Sequence, residues 1–139
     1  MKQDGRLARM IHVIVHMGLL DGRETSETIG RMLNTHPVVV RRTMGMLKAS
    51  GIVGSESGRG GGWKLLRTLD QITVLDVQRA LSETSLLPPG ISGDHPACPV
   101  ERATNAALIQ AFARAEEVLS DRFSELSLSA IAAAALAGE

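Results

Sequence analysis

The sequence holds no tyrosine, one tryptophan, two phenylalanines and one cysteine among 139 residues. So low an aromatic share excludes a surface that stacks on single-stranded nucleic acid. It leaves the core to aliphatic side chains and methionines. The lone thiol, Cys98, excludes an internal disulfide and points to a reducing cytoplasm. Long hydrophobic runs are missing too. The apolar stretch from Met10 to Leu20 is broken by His12 and His16 and is too short to span a bilayer, so no membrane partner is expected. The N-terminus lacks the clean apolar segment of a signal peptide. Hydrophobic residues still make up 44%, which excludes a disordered chain. The length fits one domain with room for an appended helix.

Net charge is also absent, but only on average. Residues 1–67 carry eleven Lys/Arg against five Asp/Glu, net +6, while residues 68–139 carry four against ten, net −6. A basic half joined to an acidic half predicts that the first meets a polyanion and the second serves another purpose.

Apolar periodicity predicts a first helix from about Gly5 to Leu20, with Leu7, Ile11, Ile14 and Gly18 on one face and Asp21-Gly22 as its stop. Thr25 or Ser26 caps a short second helix that buries Ile29, Met32 and Leu33. Pro37 opens a third helix that runs to about Ala49 and closes at Ser50-Gly51. Two β-prone runs, 52–56 and 63–67, flank glycines and read as a hairpin. Thr73 caps a fourth helix from Val74 to Glu83, with Leu75, Val77 and Leu81 inward. Residues 84–99 hold four of the five prolines and form an irregular connection. A long helix then runs from Pro99 to about Leu126, followed by an Ala-rich piece ending near Leu136.

The stretch GRGGGWK, Gly58 to Lys64, is the most unusual in the chain. A phosphate loop needs GxxxxGK before Ser or Thr and a helix, but here Lys64 is followed by Leu65 and a strand pattern. A dinucleotide fingerprint lacks its context as well. The run is instead the tip of a hairpin, with Arg59 projecting from it. Two helices joined by a tight turn and followed by such a hairpin make a winged helix-turn-helix. On the third helix Val40, Thr43, Met44 and Leu47 share an inward arc. Val38, Arg41, Arg42, Gly45 and Lys48 lie opposite, a face suited to a DNA major groove. Arg41 or Arg42 would pair with guanine, Val38 would touch a thymine methyl, and Lys48 would meet phosphate.

The segment NTHPVVVRRTMGMLKASGIVGSESGRGGGW, from Asn34 to Trp63, closely resembles the Rrf-two family of bacterial transcription regulators. The likeness continues through Leu65 and ITVLDVQRAL, Ile72 to Leu81, and more loosely through both ends. That family includes the iron–sulfur cluster regulator and the nitric-oxide-sensitive repressor. The resemblance implies a dimer that reads a pseudo-palindromic operator in double-stranded DNA, with the third helix in the major groove and a wing arginine in the minor groove. By position, the helix contacts fall on Val38, Val39, Arg41 and Arg42. Relatives often place the wing arginine just before the first glycine, where this chain has Ser57; here Arg59 sits inside the glycine run. Many relatives also hold an iron–sulfur cluster on three cysteines before the long helix. This chain has Cys98 alone, so no such cofactor is expected, and the resemblance is closer to the cluster-free branch with a Pro-Val-Val-Val-Arg-Arg helix.

Cys98 precedes Pro99 and so falls at the N-cap of the long helix, where a helix N-terminus favours the thiolate. It is a candidate redox sensor; the alternative is a small packing residue. His12 and His16, one turn apart, with His95 and Cys98 would supply a tetrahedral zinc set if they met in space, but no metal site is expected. Along the long helix Leu108, Phe112, Ala115, Leu119, Phe123 and Leu126 form one stripe, widened by Ala107, Ala111 and Val118. So broad a face has two surfaces to cover, its own domain and a second copy.

The expected fold is therefore mainly α with a small β-hairpin: a winged helix-turn-helix plus a long C-terminal dimerisation helix. Residues 1–83 form the DNA-binding domain, 84–99 a connecting loop carrying Cys98, and 100–139 the dimerisation helix and Ala-rich tail. The expected function is that of a cytoplasmic homodimeric regulator, a repressor, with Val38, Val39, Arg41, Arg42, Lys48 and Arg59 on DNA. Its input would be a small-molecule or redox signal. No nucleophile–base set, carboxylate pair or cofactor loop points to an enzyme. Two other readings stand beside it: a winged-helix module that binds a protein partner, and a metal-responsive regulator using the histidines.

Overall fold

A computed structural model describes residues 5–20, 22–59, 61–82 and 85–138. The expected helix stop at Asp21, the wing residue Gly60, the end of the fourth helix at Glu83 and the start of the connection at Thr84 lie outside the described residues. The chain forms two compact units, residues 1–82 with 124–139, and residues 83–123.

In the first unit, α1 (Arg6–Leu20), α2 (Ser26–Leu33) and α3 (Pro37–Ala49) precede a hairpin of β1 (Val53–Glu56) and β2 (Gly62–Leu65). A 3-10 turn (Leu69–Gln71) and α4 (Val74–Leu81) follow. The strands pair antiparallel, Val53 opposite Leu65 and Glu56 opposite Gly62. The expected mainly helical fold with one hairpin is what the chain adopts. The core is aliphatic and Met-rich, with Ile14, Met17, Ile29, Met44, Leu47, Ile52, Ile72 and Leu128 all fully buried.

Three local features differ from the sequence-based expectation. On α1 the buried residues are Met10, Val13, Ile14, Val15 and Met17, whereas Leu7, Ile11 and Gly18 are only half-buried. A helix this apolar offers two overlapping stripes at helical spacing, and packing in the first unit selects between them. On α2 Gly30 takes the buried place expected of Met32. A Cβ at Gly30 would sit 2.8 Å from the Thr35 carbonyl oxygen, so the turn into α3 closes only over a residue without one. Asn34, left-handed at φ 54°, caps α2 by donating its N–H to Arg31 and Gly30.

The third difference concerns the C-terminus. The Ala-rich piece is a separate helix, α6 (Leu128–Leu136), capped by Ser127, and it belongs to the first unit together with residues 124–127. The sequence-based division at residue 100 had placed it with the dimerisation helix. Backbone pairing is the reason. The Val74 N–H donates to Leu126 at 2.9 Å, and the Leu128 N–H donates to Ile72 at 2.8 Å. Leu128 is fully buried and Ala132 nearly so, where α6 meets α1 and the 3-10 turn.

The second unit holds α5 (Pro99–Glu125) up to Phe123, with the irregular connection laid along it. Side chains of α5 fasten that connection. The Glu116 carboxylate accepts the Ser85 hydroxyl and the Leu86 N–H at 2.8 and 2.6 Å. Asn105 bonds the backbone of Ser92 in both directions, and Glu101 accepts the Ser92 hydroxyl and the His95 N–H. These bonds hold the Glu101 carboxyl below its usual range, the Ser92 hydroxyl contributing most and the His95 N–H next. Among the described residues no helix is long and apolar enough to cross a membrane.

Docking of α6 is open to direct measurement. Leu128→Ala is expected to cost about 2–5 kcal/mol, read by urea denaturation followed by circular dichroism. A loss under about 0.5 kcal/mol, the range of ordinary surface changes, means that α6 does not belong to the core.

Candidate nucleic-acid interface

The interface is built on α3. Pro37 occupies its first turn, and His36 is the N-cap, its Nδ1 accepting the Val38 N–H at 3.1 Å. Val40, Thr43, Met44 and Leu47 are buried, the inward arc read from the sequence. The buried Thr43 hydroxyl is satisfied by the Val39 carbonyl one turn back, at 3.0 Å. Everything that faces inward on α3 is thereby accounted for, and the opposite face is left to act on something else.

That outer face carries Val38 and Val39 at 49% and 44% exposure, branched apolar side chains standing in solvent at the start of the helix. Beside them Arg41, Arg42 and Lys48 are exposed. Their surroundings differ. The Arg41 guanidinium lies 3.2 Å from the Glu27 carboxylate on α2. Lys48 donates to the Ser55 hydroxyl on β1 at 2.8 Å, tying α3 to the hairpin. Arg42 makes no hydrogen bond or ion pair among the described residues. Over Gly45 nothing approaches within 4 Å of a notional Cβ, so the middle of this face is open.

The hairpin is anchored at its base. Trp63 pairs through its backbone with Glu24, N–H to oxygen at 2.8 and 2.9 Å, and its indole N–H donates to the Ser26 hydroxyl at 3.0 Å. Gly62 sits at φ 130°, and a Cβ there would lie 2.8 Å from the Glu24 carbonyl oxygen. The aromatic after the glycines therefore anchors the wing, and the glycine before it allows the two backbones to meet. Glu56 accepts from Arg23 at 2.8 Å and Lys64 at 3.2 Å, which offsets part of the positive charge on the hairpin's flank. At the tip Arg59 is exposed and, among the described residues, unpaired.

All six residues expected on DNA are thus exposed, five of them on α3 and Arg59 on the hairpin tip. Sequence reasoning missed Glu24, Ser26, Glu27 and His36. Only His36 carried a readable signal, its place just before a proline-started helix. The others meet their partners across elements.

The Rrf2 family, described as "Iron-dependent Transcriptional regulator", matches residues 4–134. The chain belongs to this Rrf-two family. A protein of Bacillus subtilis (strain 168) that carries the provisional name HTH-type transcriptional regulator YwnA is 31% identical over 125 residues, 90% of this chain and 92% of that one. Solved folds agree. CymR (YrzC), the global cysteine regulator of B. subtilis, superposes with a TM-score of 0.69 at 18% identity over 96% of this chain and 97% of that one. T. potens IscR does so with 0.68 at 17% identity over 97% and 88%. This Rrf2 protein is a transcription regulator with a DNA-binding fold, and not an enzyme.

Iron, implied by the family description, was tested against the donors this Rrf2 chain offers. Iron–sulfur clusters are held mainly by cysteine thiolates, close to four per cluster. Here Cys98 is the only cysteine, and among the described residues no group of three or more His, Cys, Asp or Glu is gathered to hold a metal. The residues do not fit such a group. His12 and His16 do meet, ring centroids 4.7 Å apart, which supplies two donors; His95 and Cys98 belong to the second unit. Cys98 is half-buried, and its carbonyl accepts the Arg102 N–H in the first turn of α5.

Replacing the wing anchor tests the account of the hairpin. Trp63→Phe keeps the ring but strips the buried Ser26 hydroxyl of its donor. The expected loss is about 1–3 kcal/mol of stability in urea denaturation. An unchanged midpoint means that the bond contributes nothing.

Proposed function

We propose that the chain is a cytoplasmic homodimeric repressor that reads a pseudo-palindromic operator. The observation that carries this reading is the outer face of α3, where two exposed valines lie beside Arg41, Arg42 and Lys48. A guanidinium paired bidentately with guanine O6 and N7 reads sequence; Val38 and Val39 meet thymine methyls; Lys48 meets phosphate. Arg59 on the hairpin tip enters the adjacent minor groove. The basic first half of the chain supplies the attraction to a polyanion that such binding needs.

Dimerisation is supported by α5, on which no residue is buried although Leu108, Ile109 and Val118 stand exposed, Val118 at 71%. Exposed apolar side chains on a helix that buries nothing are unfavourable in water, and a second copy covers them. Two-fold pairing then sets two α3 helices on half-sites about 34 Å apart. Cys98 is the proposed redox input. It is half-buried where the connection turns into α5, and it is the chain's only thiol.

Anisotropy titration of the protein's own promoter DNA between 50 and 200 mM salt tests the reading. Salt-steep, sequence-selective binding is the expected result. Arg42→Ala should cost about 1–3 kcal/mol on the operator and little on random DNA. Binding that ignores both salt and sequence points to a protein-binding module instead. Arg59→Ala should weaken operator binding, and unchanged affinity removes the wing from the interface. For the thiol, Cys98→Ser should bind DNA normally and lose any response to peroxide; a mutant that still responds ends the sensor role.

A further inference from the structure

The geometry points to Glu27 as a positioning residue for sequence reading, one that orients the Arg41 guanidinium toward a base edge and keeps it off phosphate. The inference rests on the operator-reading function proposed above. It begins from an asymmetry on α3. Three cations share its outer face, and only Arg41 is paired with a carboxylate, Arg41 Nη2 to Glu27 Oε1 at 3.2 Å. Lys48 is bound to a hydroxyl, and Arg42 has no partner among the described residues.

The pair joins two rigid elements. Glu27 lies in the first turn of α2, directly after the Thr25 cap whose side chain accepts the Thr28 N–H. Buried Ile29 and Leu33 on α2, and Val40, Met44 and Leu47 on α3, set the spacing of the two helices, and the Gly30–Thr35 approach closes the turn between them. The carboxylate therefore reaches Arg41 from a fixed point. Stability does not demand this. Both side chains are more than half exposed, 55% and 57%, and exposed pairs of this kind add little to folding.

Guanidinium chemistry supplies the purpose. Arginine presents five N–H donors in a planar fork, and the contact with Glu27 engages one nitrogen. The remaining donors suffice for a bidentate contact with guanine O6 and N7 while the carboxylate stays bound. Fixing the plane of the fork beforehand removes rotamer freedom that base reading would otherwise cost. Phosphate contact has the opposite balance. Glu27 and Arg41 line one crevice with Ser55 and Trp63, between the start of α2 and the hairpin, with Arg41 reaching in from α3. A phosphate that drew Arg41 toward it there would meet the Glu27 charge, and like charges brought together penalise the wrong complex. Glu27 thus favours the reading complex and disfavours the non-reading one.

The test uses the full chain, with its operator and a random duplex of equal length titrated over a range of salt. Glu27→Gln should weaken operator binding about two- to fivefold, as loss of a surface pair allows. It should also tighten random-duplex binding and steepen its salt dependence by about 0.9 in log–log slope, as Arg41 gains a phosphate. Guanine preference at one position of each half-site should relax. In an Arg41→Ala background Glu27→Gln should leave base preference unchanged. Arg41→Lys, which keeps the charge without the fork, should behave likewise. Equal tightening on both duplexes would reduce Glu27 to a plain repulsive charge and overturn the inference. The same effect with and without Arg41 would overturn it too. If the wild-type chain reads its operator and Glu27→Gln is indistinguishable from it, this inference alone fails. If the wild-type chain binds neither duplex, operator reading fails with it.

Discussion

The indole of Trp63, donating to Ser26 while its backbone pairs twice with Glu24, is the contact on which the placement of the hairpin against the helix-turn-helix depends. A two-stranded hairpin on its own is marginal in water. This one is held at its base to the residues that open α2, and Lys48 adds a second tie from α3 to β1 through Ser55. The base of the wing is thus tied to both α2 and α3. Gly62 is part of the same arrangement, since any side chain there would push the strand off Glu24.

Charge on this surface is graded rather than simply positive. Glu56 is shared by Arg23 and Lys64 on the hairpin's flank, Glu27 holds Arg41, and Arg42 and Arg59 stand open among the described residues. A uniformly basic face would bind any polyanion with an affinity set by salt alone. Carboxylates placed among the cations lower that general attraction.

The second unit depends on polar contacts where the first depends on burial. Glu116, Asn105 and Glu101 fasten a proline-rich connection along α5, and α5 itself buries nothing in the single chain. The first unit has a complete aliphatic core, whereas α5 leaves Leu108, Ile109 and Val118 exposed. Cys98 stands where the connection turns into α5, its N–H donating to the His95 carbonyl and its own carbonyl accepting the Arg102 N–H.

Much of this was legible in the sequence because it is local. Helix starts at Pro37 and Thr73, the buried arc of Val40, Thr43, Met44 and Leu47, and the glycine-tipped hairpin all follow from spacing and capping chemistry within a few residues. So did the exposure of Val38, Arg41, Arg42 and Arg59, since whatever is not on the inward arc must face out. The inward face of α1 was not legible, because two apolar stripes coexist there and only packing chooses between them. Nor was the return of α6 to the first unit, which rests on backbone pairing between residues 72–74 and 126–128. The partnerships of Trp63 with Ser26 and of Glu27 with Arg41 join residues 37 and 14 positions apart. Sequence determined which residues form each element and, on α3, which face turns inward; tertiary structure decided the inward face of α1 and which side chains meet across elements, because helix crossing and strand docking carry no short-range signal.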